Sequence, residues 1–233
     1  MALFRRLFLA AVVAGVLSGT AASVVQQVTT VPLILAAETY ESGDASVHAH
    51  GQAAPAHQHA APAAAADDEA FQRVGLTVVT NILVGVAYGL LLAGVMLLVG
   101  APVDARRGLV WGIGGFVAFA LAPAAGLPPE LPGMGGAGLE ARQAWWIAAA
   151  LCAAGGLLAL AFAKNRFVVA AGVVLAALPH VIGAPHPESP EGVVPPELAA
   201  RFAALSIGVA ALFWAALGSA CGALMQRVVE PRR

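Results

Sequence analysis

Lysine is nearly absent from this chain: its 233 residues hold one, Lys164, set in Lys164-Asn165-Arg166. A phosphate-binding loop needs its lysine between a glycine and a Ser or Thr, so ATP hydrolysis by that route is excluded. Cysteine is almost as rare. Cys152 and Cys221 both fall inside apolar runs, which removes a disulfide framework and any Cys-x-x-Cys centre and reads as two small core residues. No His-Glu-x-x-His helix and no Gly-x-Ser-x-Gly elbow occurs, and serine is scarce, so hydrolytic chemistry has nothing to stand on and the chain reads as no enzyme. Charge is thin as well. With 11% charged residues and a formal net charge of −1 there is no basic face for nucleic acid.

Hydrophobic residues fill the space, at 60% of the chain and a mean hydropathy of +0.82. A helix needs roughly 20 apolar residues to cross about 30 Å of hydrocarbon. Six runs free of Asp, Glu, Lys and Arg come near or pass that length: residues 7–37, 74–103, 108–129, 143–163, 167–183 and 202–226. The fold class expected is therefore all-α, a polytopic integral membrane bundle of six transmembrane helices, with five as the alternative. The first run follows Arg5-Arg6 and also fits a cleavable signal, which would leave five. Retention is the reading preferred, because no small-x-small site precedes a polar start.

Alternating the loops across the bilayer sorts the charges. One side takes Arg5, Arg6, Arg106, Arg107, Lys164, Arg166, Arg227, Arg232 and Arg233, with only Asp104 and Glu230 as acids. The opposite side takes Arg73, Arg142 and Arg201 and every remaining acid. Cytoplasmic loops carry the excess of Lys and Arg, so both termini are expected inside the cell, in the inner (cytoplasmic) membrane. The organisation that follows is a first helix with its outer extension (1–37), an external loop rich in His and acid (38–73), a bundle of five helices (74–226) and a basic cytoplasmic tail (227–233). The external arginines have acids close in sequence, Glu69 with Arg73, Glu140 with Arg142 and Glu197 with Arg201, which reads as local pairing.

Glycines four apart, Gly15 and Gly19, Gly85 and Gly89, Gly218 and Gly222, mark faces where helices can approach closely. Trp111, Trp145 and Trp146 sit near run ends and read as interfacial anchors. Polar residues inside the runs are few: Gln26, Gln27, Asn81, Tyr88, His180 and Ser206. At 1.5 Å per residue, Gln26, Gln27, Asn81 and His180 all fall in the outer half of the membrane, where they could meet at one mouth. Pro32 and Pro179 lie beside them, and a helix broken there would free backbone carbonyls for an ion.

The external loop concentrates the metal-seeking chemistry: His48, His50, His57 and His59, with Glu38, Glu41 and Asp44. In extended chain, residues i and i+2 share a face, so each His-x-His doublet can chelate one divalent transition ion. The alanines and prolines between the doublets argue against a rigid cage and for capture followed by handover. His180 joins these as a metal-path residue.

Several segments together resemble the CbtA family, the membrane subunit of a predicted cobalt transporter. They are Phe4-Arg5-Arg6-Leu7-Phe8-Leu9, Val25-Gln26-Gln27-Val28 leading to Pro32 through Glu41, Phe71-Gln72-Arg73-Val74-Gly75, Gly126 through Gly133, Gln143-Ala144-Trp145-Trp146, and Leu178 through Pro185. The resemblance implies cobalt(II) as the substrate, supply for cobalamin synthesis, and no permanently bound cofactor. It also implies five helices, a lipid environment and a small one-helix partner subunit, CbtB. Within the matching segments lie Gln26, Gln27, Glu38, Glu41, Glu130 and His180, and Glu130 is added to Gln26, Gln27 and Asn81 on the expected transport path. The rival reading is a membrane scaffold or metal-sensing subunit that binds without transporting.

Overall fold

The computed structural model describes residues 1–48, 63–100, 104–187 and 192–229, and its helices follow the apolar runs. Helix α1 covers Ala2–Val28, α2 Val31–His48 and α3 Ala63–Val99. Helix α4 covers Ala105–Phe116 and continues through a π-turn, Val117–Leu121, into α5, Ala122–Ala124. Then come α6, Leu139–Phe162, α7, Arg166–Ile182, and α8, Pro196–Val229. There is no strand among the described residues. Among the described residues five helices are long and apolar enough to cross a bilayer, where the sequence suggested six. The shortfall is α7, whose 17 residues reach about 25 Å, the short end of a spanning helix.

Three antiparallel pairs make the bundle, and glycine closes each one. A Cβ on Gly15 would collide with the Gly85 main chain, one on Gly19 with Asn81, and one on Gly89 with the Ala11 carbonyl, which fixes α1 against α3. Gly108 and Gly112 meet Gly218, Gly222 and the Trp214 carbonyl in the same way, fixing α4 against α8. Gly156 faces Gly172 and Ala176, fixing α6 against α7. The first and second contacts use the glycine pairs read from the sequence, and Gly108 with Gly112 supplies the partner face that reading lacked. Helix α1 also packs along α8, where Leu7, Ala10, Ala11 and Ala14 join Met96, Trp214, Leu217, Cys221 and Met225 in the main core. Cys152 and Cys221 are both free thiols, and Cys221 is fully buried.

Three prolines act differently. Pro32 has no N–H for the carbonyl four residues back, and the helix breaks at Thr29-Thr30. Pro123 cannot bond the Phe119 carbonyl, and the chain widens instead: the Ala122 N–H reaches back five residues to Val117. Pro179 stays inside α7, one turn before its end. There the Gly183 N–H closes the helix on the Pro179 carbonyl, and Gly183 turns the chain away at φ 92°, a conformation open to glycine.

The antiparallel pairing places Arg5, Arg6, Arg106, Arg107, Lys164, Arg166 and Arg227 at one end of the bundle. Asp104 and Asn165 cap α4 and α7 there, each accepting a backbone N–H at 2.8 Å. At the opposite end, α2, the 125–138 segment and the start of α8 close over one another through Ala37, Leu131 and Val194, with Ile34, Met134 and Phe202 around them. Trp145 is buried rather than at the surface, its indole N–H donating to the Pro179 carbonyl at 3.2 Å.

Gly85→Ala should lower the thermal unfolding midpoint in detergent, at an overpacking cost of about 1–3 kcal/mol. Gly94→Ala, in the same helix with nothing within 4 Å of an added Cβ, should leave the midpoint unchanged or raised. Equal losses in a paired thermal-shift measurement would contradict the glycine contact.

Candidate functional site

Asn81 faces α1 because the glycine contact brings the two backbones together at that level. Its carboxamide N–H2 donates to Gln26 Oε1 at 2.6 Å and to Ser23 Oγ at 3.0 Å. The Ser23 hydroxyl in turn donates to the Gly19 carbonyl at 2.9 Å. In hydrocarbon an unpaired amide is costly, and each such interhelical bond contributes about 0.6 kcal/mol. The cluster lies one turn from the α1–α2 break. There the Gln26 carbonyl accepts the N–H groups of both Thr29 and Thr30, and Thr29 Oγ1 donates to the Val25 carbonyl at 2.7 Å. Among the described residues no backbone N–H reaches the carbonyls of Gln27 and Val28, and the Gln27 side chain beside them is half-buried.

Above the break, Arg73 of α3 grips Glu38 of α2 with one nitrogen, at 2.8 and 3.0 Å from the two carboxylate oxygens. Both groups are well exposed, so the pair contributes little stability and acts as a tie between the two helices. Glu38 comes to Arg73 from 35 residues away, while the side chain of Glu69, its partner by spacing, lies outside the described residues. Arg142 takes Glu130 at 2.6 Å rather than its neighbour Glu140. Glu41 lies near Gly133, whose φ of +78° turns the 125–138 segment under α2.

Glu130 and Arg142 stand on the wall of a cavity of about 800 Å³ between the π-turn and α5, α6 and α8 at the acidic end. His180 is elsewhere. It is exposed on α7 with its ring edge-on to Trp145 at 5.7 Å, and α7 packs on α6 while α1 packs on α2, α3 and α8. The structure therefore joins Gln26 to Asn81, shows no hydrogen bond from the Gln27 side chain to them, and keeps Glu130 and His180 in separate surroundings. His50, His57 and His59 lie outside the described residues, and His48 ends α2 with its side chain outside them too. Helices α2 and α3 enter the 38–73 loop from both sides, leaving 49–62 between them. Among the described residues no three of His, Cys, Asp and Glu come together as a metal-holding group.

Ser23 and the two arginines were missed in the sequence. Ser23 lies three residues before Gln26, on one helical face with it, and that spacing was the available signal. Nothing local marks the Glu38–Arg73 and Glu130–Arg142 pairs.

A family model described as probable cobalt transporter subunit (CbtA) matches residues 4–226. No curated protein and no solved structure matches the chain.

A double-mutant cycle on Asn81→Ala and Gln26→Ala, read by detergent unfolding, should show a coupling of about 0.6 kcal/mol and at most about 1.7. Strict additivity would mean that the carboxamide bond contributes nothing.

Proposed function

The chain belongs to the CbtA family of probable cobalt transporter subunits, and from that membership we propose that it is the membrane component of a cobalt uptake system in the inner membrane. The basic end faces the cytoplasm and the acidic end faces outward, as the excess of arginine at one end supports. The histidine loop collects the divalent ion outside, and Glu38 and Glu41 add oxygen ligands at its base. Cobalt so gathered supplies cobalamin synthesis, and a one-helix partner of the CbtB kind works beside this subunit.

The observation that carries the path is the broken helix. Transporters place ion sites where a helix is interrupted, because carbonyls released from the ladder become ligands. Here the Gln27 and Val28 carbonyls lie at the α1–α2 break, at the outer end of α1, next along the chain to the Gln26 side chain that Asn81 holds. All are neutral oxygen donors. They hold a dication weakly enough to release it, which suits passage rather than storage. His180 and Glu130 belong to the same outer end and act before this point.

Uptake of labelled cobalt into cells stripped of their own importers tests the proposal, with this chain alone and with the one-helix partner, and with nickel and zinc as competitors. Saturable, cobalt-preferring accumulation is expected. Asn81→Leu should slow it about tenfold, the loss of one ligand contact of roughly 1.4 kcal/mol. Replacing His48, His50, His57 and His59 together should raise the half-saturating concentration and spare the maximal rate. Cobalt binding without accumulation, with the protein verified in the membrane, would instead establish a scaffold or sensor.

A further inference from the structure

The cavity of about 800 Å³ has an apolar wall that the ion path does not use. Its apolar part is built from Phe119 on the π-turn, Trp146 and Ile147 on α6, and Ile207 and Ala210 on α8. Ile147 is 51% exposed, so the cavity is a groove on the flank of the bundle, open to whatever surrounds the helices. In a bilayer that surrounding is hydrocarbon. The polar part lies at the acidic end: Glu130 and Arg142 meet at 2.6 Å with side chains only 22% and 32% exposed. Arg142 precedes Trp146 by one turn of α6, which sets the charges at head-group level and the aromatic and aliphatic walls below them.

A groove with an apolar floor and one charge of each sign at its rim complements a molecule with the same division. We propose that it binds one zwitterionic phospholipid whose head group ends in a primary ammonium. An acyl chain lies along Phe119, Trp146 and Ile207. The phosphate takes the Arg142 guanidinium, which suits it as a planar fork of donors, and the ammonium donates to the Glu130 carboxylate. Each charge thus exchanges its present partner for a lipid group of the same sign, so neither is left unpaired at the rim. A choline head group has no N–H for Glu130, and a glycerol head group has no cation for it. The volume falls within the roughly 300–1,000 Å³ of sites that bury small molecules. The inference rests on the chain being membrane-embedded and not on its cargo, so lipid retention and cobalt uptake fail separately.

The experiment is native mass spectrometry of the full purified chain after exchange into detergent with equal amounts of phosphatidylethanolamine, phosphatidylcholine and phosphatidylglycerol. One phosphatidylethanolamine should be retained about tenfold over phosphatidylcholine, the ratio expected for one charge-assisted hydrogen bond. Glu130→Gln should remove that preference and favour phosphatidylglycerol, since Arg142 is then unbalanced. Ala210→Trp, which fills the groove and leaves the ion pair in place, should lose the lipid while keeping the wild-type unfolding midpoint. Equal retention of the three lipids, a wild-type preference for phosphatidylglycerol, or undiminished retention by Ala210→Trp would overturn the proposal. Absence of any retained lipid would do the same and leave the groove to a helix of another subunit.

Discussion

Backbone meets backbone at three places in this bundle, and the rest of the arrangement depends on those contacts. In a bilayer the lipid tails are as apolar as leucine, so helices gain little by hiding apolar side chains from their surroundings. What remains is dispersion and close polar contact, and both need the axes near one another. Gly15 and Gly19 against Gly85 and Gly89, and Gly108 and Gly112 against Gly218 and Gly222, remove the side chains that would hold the helices apart. Helix α8 then joins the two pairs, since its Leu217, Cys221 and Met225 lie in the core with α1 while its Trp214, Gly218 and Gly222 meet α4.

The polar cluster follows from the same contact. Asn81 is held against Gly19, and only at that separation can its carboxamide reach Ser23 and Gln26 on the facing helix. Any side chain at Gly19 would move Asn81 away and take the Asn81 and Gln26 carboxamides from each other, while Ser23 keeps its bond to the Gly19 carbonyl. The break after Val28 is a separate matter of chain chemistry, caused by Pro32. On the ion path proposed above, the carbonyls it frees would act together with the Gln26, Gln27 and Asn81 side chains.

Position governs what a proline does here. Pro32 interrupts a helix, Pro123 converts an α-turn into a π-turn that carries Phe119 to the cavity wall, and Pro179 is absorbed in a last turn where few carbonyls need a partner. The same residue type disturbs four-back hydrogen bonding in each case. How the chain accommodates it depends on how much helix follows and on which side chains fill the widened turn, as Trp146 and Trp214 do around Phe119.

The amino-acid sequence alone determined the class of the molecule, because hydrophobicity over some 20 residues and the scarcity of charge are properties of single segments. It also marked three of the glycine faces and named Gln26, Gln27 and Asn81, since a polar residue inside an apolar run stands out without any partner in view. Tertiary structure decided the rest. It drew Arg73 to Glu38, and Arg142 to Glu130 past the nearby Glu140, because a tie between helices is set by where the helices lie and not by spacing along one. It packed the fifth apolar run, a 17-residue helix, on α6, and it parted His180 from the Gln26 cluster, because depth in the membrane can be counted along the chain but lateral neighbours cannot.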